Sequence, residues 1–148
     1  MVDVERIKKL REETGCGVIE AKKALEDSPD FESAKEYLKK QGATKASKKE
    51  GRETIQGTVS AYVHATWRIG AVVSLSCETD FVARTEDFKK LVLEIAMQIS
   101  AMDPKDVDEL LSQSYISDNS KTIKELIVEL SAKVGENIVV KDFKRLEI

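Results

Sequence analysis

The sequence predicts an α+β protein: a bundle of three short helices at the N-terminus, then a core of about three antiparallel strands covered by helices. Three observations predict it. Apolar residues recur at helical spacing through the first forty positions, and after Gly57 they change to alternation, the signature of a half-buried strand. The 148 residues are 41% hydrophobic and 34% charged with only two prolines, the balance of a folded, helix-rich domain.

The elements follow in order. Val4, Ile7 and Leu10 share one face of a first helix, which Thr14-Gly15-Cys16-Gly17 stops, because glycine enters the left-handed conformation that closes a helix end. Val18, Ala21, Ala24 and Leu25 give a second helix its apolar stripe, and Asp27-Ser28-Pro29 turns the chain. Asp30 caps a third helix with Phe31, Ala34 and Leu38 inward, and Gly42 ends it. The domain limits expected are therefore 1–43 for the bundle, 44–56 for a basic linker, with helix able to run into its start, and 57–148 for the core. In the core, Val59, Ala61 and Val63 alternate with Thr58, Ser60 and Tyr62 in a first strand, and Ala71, Val73 and Leu75 belong to a second. The short turn region Ala65 to Gly70 makes them an antiparallel hairpin. Thr85, followed by Glu86 and Asp87, opens a long helix with Phe88, Leu91, Ile95, Ile99 and Met102 on one face, and Asp103-Pro104 ends it. Val107, Leu110 and Leu111 suggest a short helix, Ser112 to Ser120 a polar loop, and Ile123 to Val134 a further helix stopped by Gly135. Ile138, Val140 and Phe143 read as the last strand, with a bulge before Leu146.

Composition excludes several classes of function. Net charge is −3; residues 1–56 carry 13 Lys/Arg against 12 Asp/Glu, and the rest 11 against 15, so neither part is a strong polyanion binder. The basic run of Lys39, Lys40, Lys45, Lys48, Lys49 and Arg52 reads as a solvated linker or, with a steep salt dependence, as a nucleic-acid contact. Two cysteines make neither a disulfide framework nor a four-ligand zinc site. Cys16 and Cys77 read as small buried or half-buried residues, and the single histidine, His64, as a surface residue of the hairpin. No phosphate loop, dinucleotide fingerprint or zinc-protease motif is present, so neither a catalytic constellation, a metal nor a cofactor is expected. No apolar run approaches the ~20 residues of a membrane span, and Met-Val-Asp-Val-Glu-Arg lacks the apolar segment of a secretory leader. A reduced, cytoplasmic location is the expectation.

Two features stand out against that background. Trp67, in the hairpin turn, either folds back on its own sheet or serves as an interface anchor. Thr79-Asp80-Phe81-Val82 joins a strand to a helix on a rigid shoulder of the sheet. Either Asp80 caps a turn and Phe81 tucks under the helix, or the charged and aromatic pair makes contact with a partner.

At these residues the sequence resembles a known family. Cys77-Glu78-Thr79-Asp80-Phe81-Val82-Ala83 is similar to the signature of the translation elongation factor Ts family. Leu10 to Gly17, followed by Glu20-Ala21-Lys22-Lys23-Ala24-Leu25, resembles that family's ubiquitin-associated-like domain. Ala34 to Gly42, Gly51-Arg52, Gly57, Tyr62-Val63-His64 and Gly135-Glu136-Asn137-Ile138 fall in the family's order. Longer members carry two core subdomains, an inserted helical hairpin and a C-terminal module; only one core copy fits here, as in a short form. Val72-Val73-Ser74-Leu75-Ser76 also lacks an acidic residue usual near Ser74.

The resemblance implies guanine nucleotide exchange on elongation factor Tu, bound in its GDP and nucleotide-free states, with no bond chemistry and no direct nucleotide binding. Phe81 is expected to wedge between helices of the GTPase, with Asp80 displacing elements that hold Mg²⁺, and Thr79 and Val82 shaping the loop. Arg11, Thr14, Gly15, Cys16, Gly17 and Val18 match the positions with which the N-terminal domain docks on the same GTPase, Val18 fitting a core role equally well. A sheet with one uncovered face tends to bury it, and the resemblance to short members of the family implies that a second chain covers it, in a two-fold homodimer through the core. The alternative is a protein-interaction adaptor built on a ubiquitin-associated-type module.

Overall fold

The computed structural model describes residues 2–148. The helices come where their caps place them. α1 (Val4–Thr14) starts at Asp3, whose carboxylate accepts from the Glu5 amide, and ends at Gly15, with φ +71°. α2 (Val18–Asp27) follows Gly17, whose amide is held by the Glu20 carboxylate at 3.2 Å. α3 (Phe31–Lys49) begins at Asp30, which accepts from the Ser33 amide at 2.8 Å. Then come β1 (Gln56–Val63), β2 (Ile69–Cys77), α4 (Asp80–Ala83), α5 (Glu86–Met102), α6 (Val107–Ser112), β3 (Ser114–Tyr115), β4 (Asp118–Thr122), α7 (Ile123–Val134) and β5 (Val139–Glu147).

The chain divides into two compact units. The first is the N-terminal stretch through Gly51 together with Val128–Glu136. Its core is Leu10, Ala21, Ala24, Ala34 and Leu38, with Ile7, Cys16, Leu25 and Phe31 packed against it. Val4 and Val18, which belong to the apolar stripes in sequence, stand outside that core and are exposed. Gly42 does not end α3, which runs on to Lys49. Gly42 is buried within the helix, and a Cβ there would make only an ordinary contact, 3.8 Å from the Ala132 Cβ. Lys49 is buried, with its ammonium donating to the Ser131 carbonyl at 3.1 Å, so the start of the expected linker is ordered helix.

The second unit comprises Arg52–Ile127 and Asn137–Ile148. Its sheet is antiparallel, in the order β1-β2-β5, and the mixed helix and strand architecture is the α+β class that the periodicities predict. Ala71, Val73, Leu75 and Cys77 of β2 are buried on one face, and α5 packs across β1 and β2 with Phe88, Val92, Ile95, Ala96 and Ile99 sealed from solvent. α5 begins at Thr85 and closes at Asp103, which takes the left-handed conformation. The alternation in β1 runs the opposite way to its hydrophobicity. Thr58, Ser60 and Tyr62 are half-buried, whereas Val59, Ala61 and Val63 are exposed. Register puts them beside Ser74, Val72 and Gly70, with Asp142, Lys144 and Leu146 beyond on β5, so the face away from α5 is open and carries exposed apolar residues on β1 with an acid and a base on β5.

One further expectation is corrected. The polar loop Ser112 to Ser120 contains a small ladder of β3 with β4. Buried Gln98 organises it, donating to the Ser114 carbonyl at 3.0 Å and accepting from the Ile116 amide at 2.9 Å. The β5 bulge falls at Lys141, between the partners of Ser74 and Leu75, which is before Leu146 but not next to it.

Candidate functional site

The segment after β2 is a four-residue helix, where the sequence alone suggests only a connection. Thr79, extended at φ −122°, caps it: its Oγ1 accepts from the Val82 amide at 3.4 Å. Cys77 Sγ donates to the Thr79 carbonyl at 3.2 Å. At the far end the Thr85 hydroxyl donates to the Val82 carbonyl at 2.7 Å, while its oxygen accepts from the Phe88 amide at 3.3 Å. Thr58 of β1 donates to the Ala83 carbonyl at 3.1 Å. The short helix is thus bonded to β1 and to the start of α5.

This anchoring sorts the four candidate residues. Val82 and Ala83 turn inward and are 8% and 7% exposed. Phe81 turns outward and is 81% exposed, so the ring does not tuck under the helix. A phenylalanine in water forgoes roughly 1.5–3 kcal/mol of burial. Asp80 stands beside it with its carboxylate 3.3 Å from the Arg84 guanidinium, an exposed pair across one turn and worth little in stability. The arrangement presents an apolar ring and an acid from a base that is locked on both sides. Among the described residues no group of three or more His, Cys, Asp or Glu is placed to hold a metal ion.

The N-terminal candidates form the corner between α1 and α2. The Thr14 hydroxyl donates to the Leu10 carbonyl at 2.6 Å and lies 3.1 Å from Cys16 Sγ, and Arg11 Nε donates to the Cys16 carbonyl at 3.4 Å. Gly15 is required twice over: its φ is +71°, and a Cβ would lie 3.1 Å from the Lys133 Cβ in the same unit. Thr14 is buried, Cys16 half-buried, and Arg11, Gly17 and Val18 are exposed. Thr14 and Gly15 therefore shape the corner, while Arg11 and Val18 show a surface to solvent. Sequence reasoning missed Ile19, which is 83% exposed beside Val18. Its signal was a β-branched apolar pair at the start of a helix whose buried stripe needs neither member.

The basic run resolves mostly into intramolecular pairs. Lys40 pairs with Glu36, Lys45 with Glu20 and Arg52 with Glu78, and Lys49 is buried. The Lys45 ammonium, and after it the Gly17 amide, hold the Glu20 carboxyl below the usual range. Trp67 does not fold back on the sheet: it is 83% exposed, and its φ is +60°. No helix among the described residues is long and apolar enough to cross a membrane.

Known proteins are similar to this sequence. The family model described as Elongation factor TS matches residues 78–148, beginning one residue before the Thr79 cap. Elongation factor Ts of Thermotoga neapolitana is 42% identical over an alignment covering 99% of this chain and 97% of that protein. The same-named protein of Coprothermobacter proteolyticus is 41% identical over 97% and 96%, and that of Leptospira biflexa 40% identical over 99% and 98%. The alignment with the Thermotoga protein runs over 191 positions against 148 residues here, so that relative carries a few tens of residues with no counterpart in this chain. By these matches, end to end, the chain belongs to the elongation factor Ts family.

Proposed function

We propose that this chain is a guanine nucleotide exchange factor for elongation factor Tu. The observation that carries the reading is Phe81, a bare aromatic ring on a helix whose next two residues, Val82 and Ala83, are buried and bonded to Thr85 and Thr58. Such a ring is the anchor type that dominates protein interfaces. Inserted between helices of the GTPase, it shifts them, and Asp80 beside it displaces the elements that coordinate the partner's Mg²⁺. Loss of that ion removes the strongest counter-charge on the nucleotide phosphates. The free-energy logic is linkage. A protein that binds the nucleotide-free GTPase more tightly than the GDP form weakens GDP by the same factor with which GDP weakens it. No bond is made or broken, so the chain needs no acid, base or cofactor of its own.

The α1–α2 corner, with Arg11, Val18 and Ile19 outward, supplies affinity for the same GTPase, and Asp80-Phe81 supplies the exchange. The open sheet face of the second unit supports a two-fold homodimer, because Val59, Val63, Val72 and Leu146 lie exposed on one surface. The test is release of a fluorescent GDP from elongation factor Tu, chased with unlabelled GDP, with and without this chain. Acceleration that saturates with the chain's concentration is expected; unchanged release at every concentration refutes the reading.

A further inference from the structure

Glu78 lies between the last residue of β2 and the cap of α4, two residues before Asp80. Its carboxylate is tied to residues from two distant parts of the chain. Oε2 accepts from the Asn137 backbone amide at 2.7 Å and lies 3.6 Å from Arg52 Nη1. Asn137 closes the ring of contacts, its side-chain amide donating to the Arg52 carbonyl at 3.0 Å. Arg52 is where the chain first enters the second unit, and Asn137 is where it re-enters. Directly behind, the Ser76 hydroxyl bonds Thr54 Oγ1 at 2.8 Å and the Val139 carbonyl at 3.2 Å, repeating the same three-part clasp one layer further in. Thr54, Ser76 and Asn137 are all buried.

We propose that Glu78 is a positioning residue for exchange: by gripping Asn137 and Arg52 it fixes the root of α4, so that Phe81 is presented in one orientation. The inference rests on the reading of Phe81 as the exchange element and adds a residue that acts through it. A wedge works only if its base does not yield. Cys77 is held by the β ladder opposite Gln56 and Thr85 by its cap on α5, but Glu78 itself lies outside the ladder. Its carboxylate adds a tie to the far ends of the unit, Arg52 and Asn137, to the local bonds of Cys77, Thr79 and Thr58. Of these two contacts the Asn137 amide is the important one: it is short, charge-assisted and partly buried, whereas the Arg52 pair is long and half-exposed.

The test is a double-mutant cycle on the intact chain, reading maximal GDP release from elongation factor Tu and the half-saturating concentration separately. Glu78→Ala is expected to lower maximal release about tenfold, the cost of a misplaced reacting group, with half-saturation unchanged within about twofold. Glu78→Gln keeps an acceptor for the Asn137 amide and restores release to within about twofold of wild type. In a Phe81→Ala background Glu78→Ala has no further effect, because the two act as one device. Equal slowing by Glu78→Ala in both backgrounds, or no slowing with Phe81 present, overturns the proposal. If Glu78→Ala does not fold, Glu78→Asp, which withdraws the carboxylate by one methylene, takes its place in the cycle, and the same outcomes support or overturn the role. The Phe81→Ala arm alone reads the exchange assignment: release unaffected by it removes that assignment and this one together, whereas slow release without the expected cycle removes only the role of Glu78.

Discussion

At the scale of single residues, the apolar side chains left in water matter most. Phe81 and Ile19 are both more than four-fifths exposed, Phe81 directly before the buried Val82 and Ile19 next to the exposed Val18. Ile19→Asp is expected to raise the dissociation constant for elongation factor Tu by about tenfold or more, with maximal release changed far less, since a contact residue away from the wedge contributes affinity. Equal losses in both quantities, from titrations of the release rate, contradict that division. Glu20, beneath this surface, makes a pH prediction. Its folded pKa is lowered by Lys45 and the Gly17 amide, so its contribution to stability is complete above the unfolded value of about 4.3 and is lost as pH falls through the folded value. The urea midpoints of wild type and Glu20→Gln should therefore differ at neutral pH and converge in acid; a gap that persists to pH ~2 counts against the Lys45–Glu20–Gly17 contact.

At the scale of elements, β1 shows what the sequence made legible and what it did not. Its period of two was plain, but the apolar set of Val59, Ala61 and Val63 faces solvent, and the helix side is taken by Thr58, Ser60 and Tyr62. Alternation identifies a strand without saying which face is covered, and that choice is made by the hairpin register and by Thr58 reaching Ala83. Gly57 fixes that register more firmly than any side chain. A Cβ there would sit 2.2 Å from the Leu75 carbonyl oxygen and 2.8 Å from the Ser76 Cα. Gly57→Ala is expected to cost about 2–3 kcal/mol in urea unfolding, because backbone on the neighbouring strand must move; a wild-type midpoint would show that β1 shifts freely. The caps at Asp30 and Thr85 and the stop at Asp103 were readable because a capping side chain acts within three residues of itself, whereas the Thr79 cap of α4 was not read. The extension of α3 past Gly42, the β3–β4 ladder and the Glu78 clasp were not. Each depends on a partner far along the chain: Ser131 for Lys49, Gln98 for the ladder, and Arg52 with Asn137 for Glu78.

At the scale of the whole molecule, the open sheet face and the exposed Phe81 ring are the two surfaces that the proposed reading assigns to partners. On that reading the open face of the second unit docks a second copy of the chain. Val63→Lys, on the exposed side of β1 at the end away from α4, is expected to yield monomers at ~10 μM in sedimentation where wild type is a dimer, since a charge buried at a symmetric contact meets its own copy. A wild-type monomer at that concentration removes the dimer. On the proposed reading both surfaces serve one role, and that role turns on a single ring. The most direct measurement is stopped-flow release of fluorescent GDP from elongation factor Tu by wild type and by Phe81→Ala. Phe81 is in water, so its truncation should leave stability within about 0.5 kcal/mol. It should slow release at least about tenfold, one decade for each ~1.4 kcal/mol of lost anchoring. Release by a folded Phe81→Ala chain as fast as wild type would contradict the account.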